Sequence, residues 1–242
     1  MRMPWASPTP YLTNPPDSGI MDVGDGNDMD ERTAEQRIQD VENSIAQNDY
    51  ETVVVFDSDG NEVFRQAGSE SNVHLSQEQI EQACGNIITH NHPSANSEVP
   101  VSVMSSSDIR LDGSALPSSG RMVTRNGQVD IITYTEKFDR GNARLLANRM
   151  ETIETNYVKT AKAEYIRREI ASGDIRRYSG VPGASGMSAA AFNARSPAER
   201  AEFIRSVQIE RRNNYVSSVQ NLLISNGKRY GYVYSTNYQE IR

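Results

Sequence analysis

The chain has 242 residues and a formal net charge of −7; 36% of its residues are hydrophobic and 24% are charged. This length suits one or two domains. No apolar run approaches the roughly 18 residues that a membrane-spanning helix needs, so the sequence excludes that class. The single cysteine, Cys84, excludes an internal disulfide framework and a Cys-rich zinc site. A metal site would therefore have to use His, Asp or Glu side chains.

The charge is distributed unevenly along the chain. Residues 1–100 carry 4 basic and 18 acidic groups, whereas residues 136–242 carry 18 basic and 11 acidic groups. Such an asymmetry can mark an interaction tail, so the basic part could contact nucleic acid or an acidic partner. Acidic groups are interspersed among the basic ones, so we interpret these charges mainly as the solvent-exposed faces of helices. Binding of nucleic acid by residues 136–242 is the less favoured interpretation.

The first 29 residues differ in composition from the rest. Residues 1–29 are rich in Pro, Gly, Asp and Asn and lack a periodic apolar pattern. We therefore expect a flexible acidic arm without a core of its own. The acidic stretch 22–28 does not have the spacing of an EF-hand loop, so a solvated tail is expected there rather than a calcium site.

Residues 30–135 alternate helical and extended patterns, which predicts an α/β module. Apolar residues at steps of three and four indicate the first helix, and an Asp-Gly pair and an Asn-Gly pair indicate two hairpins. A Ser-x-x-Gln capping pattern opens a short helix at Ser76. The expected elements are a helix over 30–47, a hairpin over 52–65, a helix over 76–83, a strand over 86–89 and a hairpin over 121–134.

Residues 136–242 are predicted to be mainly helical, with residues 179–194 as a Gly-, Ser- and Ala-rich linker. Ser196-Pro197-Ala198-Glu199 is a capping box that opens a helix, and Gly227 is expected near its end. The following alternating strand over 229–235 would place three tyrosines on one face. Packing of these tyrosines against the preceding helix is favoured over base stacking.

His90 and His92 lie two residues apart at the end of a predicted strand. In an extended segment such residues point the same way, so both can reach one ion. Zinc suits imidazole and carboxylate ligands, and a catalytic zinc takes three protein ligands. Asp108 is the natural third ligand, because Ser105 lies one helical turn before it in Ser-Ser-Ser-Asp and can serve the same site.

These motifs resemble the JAMM (MPN-plus) metalloprotease family, whose pattern is a glutamate on an early strand, then His-x-His-Pro, then Ser-x-x-Asp. The resemblance covers about residues 30–135 and is closest to modules of bacterial DNA-repair-associated and phage head-morphogenesis proteins. It implies a JAMM/MPN-like (cytidine-deaminase-like) mixed sheet flanked by helices. Residues 136–242 would then form a helical C-terminal extension that ends in a short Tyr-rich strand.

The resemblance also implies roles for individual residues. His90, His92 and Asp108 would bind Zn²⁺, and Ser105 would help to stabilise the oxyanion. Glu51, directly before a predicted strand, would be the general acid/base, with Glu62 as the fallback. Cys84 is expected to be a small buried residue near the site. The alternative is that its thiol is a metal ligand.

One departure from the family pattern concerns spacing. Twelve residues separate His92 from Ser105, whereas the family usually has about seven. The additional residues around 97–101 are expected to form a lid or substrate-facing loop, or else to mark a site that has drifted.

The predicted function is zinc-dependent hydrolysis of a peptide or isopeptide bond by a phage- or prophage-encoded protein. The alternative is a head-assembly component that uses the domain as an interaction scaffold. Expected partners are a protein or peptide substrate and phage structural proteins, with no membrane. The expected location is cytoplasmic or virion-associated.

Overall fold

A computed structural model describes residues 32–70, 72–93, 103–173 and 188–237. The predicted arm over 1–29 and the predicted lid around 97–101 lie outside the described residues. The strands are β1 (Thr52–Phe56), β2 (Glu62–Ala67), β3 (Ile87–His92), β4 (Ser119–Thr124), β5 (Val129–Tyr134) and β6 (Tyr232–Thr236). The helices are α1 (Ala34–Ile45), α2 (Gln77–Gln82), α3 (Ser106–Ala115), α4 (Arg140–Thr160), α5 (Ala163–Ser172), α6 (Ala189–Asn193) and α7 (Pro197–Tyr230).

The six strands form one mixed sheet in the order β2-β1-β3-β4-β5-β6. Only β3 and β4 pair in parallel, and α3 connects them as the crossover helix. The other neighbours are antiparallel. This arrangement confirms the α/β class and the mixed sheet flanked by helices.

One face of the sheet is covered by α1. Ile38 and Ile45 on this helix pack with Val54 and Phe56 of β1. Beside this apolar contact, Arg121 of β4 is bound by two glutamates of α1. Its Nε donates to Glu42 at 2.7 Å, and its Nη2 donates to Glu35 at 2.8 Å. Since Arg121 and Glu42 are both buried, this ion pair fixes α1 on the sheet.

The opposite face carries the largest core, to which α3, α4, α7 and the adjoining strands all contribute. The last strand, β6, pairs with β5 and extends the sheet. The Tyr232 hydroxyl donates to the carbonyl of Leu223 in α7 at 2.9 Å, so this tyrosine packs against the preceding helix, as predicted. No helix among the described ranges is both long and apolar enough to cross a membrane.

Local sequence signals account for several element boundaries. The predicted capping box at Ser76 is present, and Thr33 forms a second one at the start of α1. Gly60 in the first hairpin turn has φ +77°, a conformation that glycine adopts without strain. The capping box at Ser196 opens α7 as predicted.

Two predictions for the C-terminal part were wrong, the linker and the number of tyrosines in the last strand. Residues 189–193 form α6 inside the predicted linker. α7 ends close to Gly227, as predicted, but it continues to Tyr230 and is capped by Gly231 at φ +82°. A Cβ at Gly227 would lie 2.6 Å from the Tyr232 carbonyl oxygen, so this glycine permits close contact with β6 instead. Because Tyr230 is helical, β6 carries only two tyrosines.

Candidate metal centre

The two histidines of the His-Asn-His motif project from the end of β3 toward α3. Both side chains are buried, and their Nε2 atoms lie 3.1 Å apart. The rings are tilted at 58°, with centroids separated by 4.9 Å. The intervening Asn91 lies on the opposite face, because Thr89, two residues earlier, donates to Glu42 of α1. The alternation of the strand thus directs both imidazoles to one point.

Asp108 is brought to the same point by the start of α3. Ser105 is the N-cap of this helix and Asp108 is its third residue, so the two form a reciprocal capping box. Asp108 Oδ2 accepts the Ser105 N–H at 2.6 Å. Asp108 Oδ1 is 3.3 Å from His90 Nε2, and Asp108 Oδ2 is 3.3 Å from His92 Nε2. Because α3 follows the parallel strand β3, its N-terminus lies at the edge where β3 ends.

Glu51 reaches the cluster from the residue before β1. Its backbone continues the pairing toward β2, since the Glu51 N–H donates to Ser69 O at 2.7 Å. The side chain of Asn91 binds the backbone of the two residues that flank Glu51. It accepts from the Thr52 N–H at 2.7 Å and donates to Tyr50 O at 3.1 Å. One ligand atom each from Glu51, His90, His92 and Asp108 lies within 4.8 Å of all the others.

Burial and mutual attraction perturb the protonation of these groups. Burial is the largest single effect and lowers the pKa of His90, but the charge and hydrogen bond of Asp108 together with the charges of Glu51 and Asp112 outweigh it, and the net pKa is about 9. Burial raises the pKa of Asp108, but His90 and His92 hold it well below its usual range. Burial raises the pKa of Glu51, and the two histidines offset part of this shift.

The donor set fits a divalent cation. Two imidazole nitrogens and one carboxylate match the three protein ligands of a catalytic zinc site. A tetrahedral ion with bonds of about 2.0–2.2 Å keeps its ligand atoms about 3.3–3.6 Å apart. The two Nε2 atoms are 3.1 Å apart, and each lies 3.3 Å from a different oxygen of Asp108, so the spacing is close to that requirement. This buried group could therefore hold a metal ion.

The remaining candidates occupy other places. Ser105 lies next to the cluster, and its Oγ accepts the Asp108 N–H at 3.3 Å. Glu62 is exposed on β2 and pairs with Arg65 at 2.7 Å, so it does not join the cluster. The expectation for Cys84 was wrong, because this residue is exposed and stands outside the metal-ligating group. The preceding residue, Ala83, is buried in the core with Val53, Val55 and Ile88, whereas the Cys84 side chain lies outside that core.

A second buried acid, which was not predicted from the sequence, lies behind the cluster. Asp112 lies one helical turn after Asp108 and accepts a hydrogen bond from the Tyr134 hydroxyl. A Cβ at Gly120 of β4 would lie 2.2 Å from Asp112 Oδ2, so the sheet has room for this carboxyl only because residue 120 is glycine. The i, i+4 spacing from Asp108 was the available signal, since it places both acids on one helix face.

No family model, curated protein or solved structure matches the chain. The α/β fold and the geometry of the cluster are therefore the observations from which a function is inferred.

Proposed function

We propose that the chain is a zinc-dependent hydrolase of the JAMM type that cleaves a peptide or isopeptide bond. The observation that carries the proposal is the convergence of His90, His92 and Asp108: the two Nε2 atoms are 3.1 Å apart, and each is 3.3 Å from one carboxylate oxygen of Asp108. A fourth group, Glu51, lies within 4.8 Å of them. Three ligands plus a nearby carboxylate is the composition that metal-assisted hydrolysis requires.

The three ligands would bind the ion through His90 Nε2, His92 Nε2 and an Asp108 carboxylate oxygen. When bound there, zinc would lower the pKa of water from about 16 to near 7 and would act as a Lewis acid on the scissile carbonyl. The capping box supports this role of Asp108, because the Ser105 N–H holds its carboxylate toward the histidines. A ligand orientation that is fixed before binding lowers the cost of assembling the site.

Glu51 would carry the proton. Its carboxylate takes a proton from water as the water oxygen bonds to the carbonyl carbon, and it returns the proton to the nitrogen as the C–N bond breaks. Asn91 supports this assignment, because its side chain binds the backbone on both sides of Glu51 and so restrains where the carboxylate can move.

Ser105 would stabilise the developing oxyanion. Its Oγ accepts the Asp108 N–H, which leaves its hydroxyl proton available for donation to the substrate oxygen. A donor of this kind is typically worth about 100- to 1000-fold in rate. Removing the hydroxyl also removes the cap of α3, so Ser105→Ala tests both roles together and is not the decisive variant.

The decisive test separates metal binding from catalysis. We expect purified protein to contain about one zinc per chain by mass spectrometry of the metal, and His92→Ala to lose it. Glu51→Gln should retain zinc but lose hydrolysis of a quenched fluorescent peptide library and of an isopeptide-linked Gly–Lys peptide. The matched control is Glu62→Gln, because Glu62 is an exposed glutamate on the adjoining strand.

Two results would contradict the proposal. A wild-type chain that holds no divalent metal after zinc loading would refute the metal centre. A zinc-loaded chain whose cleavage survives Glu51→Gln at the wild-type rate would refute the role of Glu51.

A further inference from the structure

A buried carboxyl outside the metal-ligating cluster, Asp130 of β5, joins the last strand to the start of α3. Asp130 is 0% exposed. It lies in one cross-strand row with His90, since His90 pairs with Met122 and Met122 pairs with Asp130. The row continues to Thr236 of β6. Asp130 and His90 are thus two strands apart, about 10 Å between backbones.

One oxygen of Asp130 holds the residue before the N-cap of α3. Asp130 Oδ2 accepts the backbone N–H of Met104 at 3.1 Å. Met104 precedes Ser105, whose amide in turn donates to Asp108 at 2.6 Å. Burial of the Met104 side chain restrains its position, but the hydrogen bond to Asp130 sets the orientation of its peptide. The direction in which α3 begins is therefore tied to β5.

The other oxygen of Asp130 is held mainly by β6. Asp130 Oδ1 accepts from the Thr236 hydroxyl at 2.5 Å and from the Tyr234 hydroxyl at 3.1 Å. A third donor, Gln128 Nε2, lies at 3.3 Å. These donors are neutral groups, so the buried carboxyl depends on its hydrogen bonds and not on an ion pair. Loss of the β6 donors would leave an acceptor with too few partners.

From this chain of contacts we propose that Asp130 is a positioning residue for the metal centre, and that β6 acts through it. The hydrogen-bond partners of Asp130 are Met104, Gln128, Tyr234 and Thr236, and none of them is a proposed metal ligand. Asp130 fixes the Val103–Met104 peptide directly before the N-cap, and so the geometry of the Asp108 capping box, while Tyr234 and Thr236 fix Asp130. The inference rests on the proposed metal site, and it assigns the C-terminal strand a part in that site.

The test measures the affinity of the full chain for Zn²⁺ by competition with a chromophoric chelator, together with the visible spectrum of the Co²⁺-loaded protein. Asp130→Ala should weaken Zn²⁺ binding about 10- to 100-fold, the usual range for partners that orient a ligand. It should also change the Co²⁺ bands, because these report ligand geometry. Asp130→Asn should restore most of the affinity, since its carboxamide oxygen can accept the Met104 N–H.

A second variant covers the case in which Asp130→Ala does not fold. Tyr234→Phe combined with Thr236→Val keeps Asp130 and removes both β6 donors, and we expect a several-fold loss of Zn²⁺ affinity. The matched control is Tyr232→Phe, which removes a hydroxyl of the same strand that bonds to Leu223 O and not to Asp130. The control should change the Zn²⁺ affinity by less than twofold, even if its melting temperature falls as much as that of the double variant.

The outcomes distinguish this inference from the proposed function. If the wild-type chain binds neither Zn²⁺ nor Co²⁺, the metal centre itself is refuted. If the wild-type chain binds both ions and the folded Asp130 and β6 variants match its affinity and Co²⁺ spectrum, the positioning role alone is refuted. An equal loss in the Tyr232→Phe control would also refute it, because the effect would then follow stability and not position.

Discussion

The free energy of unfolding of the wild-type chain is expected to fall as the pH rises, because Asp112 ionises. Replacement of Asp112 by asparagine should abolish this part of the decrease. Asp112 is buried in α3 behind the metal-ligating cluster and accepts a hydrogen bond from Tyr134. Burial raises its pKa from 3.8 to about 7, although the Tyr134 hydrogen bond works in the opposite direction. Asparagine has nearly the same shape, keeps an acceptor for Tyr134 and does not ionise.

The sign and size of the effect follow from proton linkage. Because the pKa of Asp112 is higher in the folded chain than in the unfolded chain, the folded state binds this proton more tightly. The stabilisation is complete below about pH 4 and is lost as the pH rises to about 7. A pKa difference of about three units corresponds to about 4 kcal/mol of unfolding free energy, against the roughly 5–15 kcal/mol of a typical domain.

The assay is urea unfolding of both chains between pH 4 and pH 8, in a chelator so that metal binding adds no stability. The free energy of unfolding of Asp112→Asn minus that of the wild type should rise with pH, by up to about 4 kcal/mol. Asp40→Asn is the control, because Asp40 is an exposed carboxyl paired with Arg32 at the surface. Parallel curves for the wild type and Asp112→Asn over the whole range would refute the reasoning.

Three further substitutions test other contacts by the free energy of unfolding. Glu42→Ala leaves the buried Arg121 without its nearest partner and should cost about 3–5 kcal/mol; a loss below about 1 kcal/mol would contradict this. Leu223→Ala opens a cavity in the core of α7 and should cost about 2–5 kcal/mol, whereas an unchanged melting temperature would show that the core closes around it. Gly60→Ala places a Cβ 2.7 Å from the backbone of Ala34 at φ +77° and should cost more than about 1 kcal/mol.

The parts of the site that the sequence predicted depend on local geometry. A strand alternates its side chains, so His90 and His92 were expected on one face before any fold was known. A Ser-x-x-Asp pattern at a helix start places the acid back against the N-cap, which explains why Ser105 and Asp108 are adjacent. Neither inference needs contacts between distant parts of the chain. The resemblance to a known family supplied Glu51, which no local rule selects.

The features that the sequence did not predict depend on tertiary contacts. Glycine is typical of a helix end, but at position 227 it is required for another reason: a larger residue would clash with the Tyr232 carbonyl where α7 contacts β6. Asp130 reads as an ordinary polar residue of a hairpin strand, and only the position of β6 shows that it is buried. Cys84 is likewise exposed although its neighbour Ala83 is fully buried, and the sequence does not show which of the two faces the core. Burial of a polar residue follows from which elements meet around it, and a single sequence does not carry that information.

The side chain of Asn91 has a consequence for folding as well as for the site. It bonds to the backbone on both sides of Glu51, at 2.7 and 3.1 Å, just beyond the last pair that links β1 to β3. A slip of one residue between these two strands would break both bonds and turn Glu51 to the wrong face of the sheet. The bonds from Asn91 to residues 50 and 52 therefore favour the correct register of β1 and β3. A chain that paired these strands in the wrong register would lose this stabilisation before the metal centre could form.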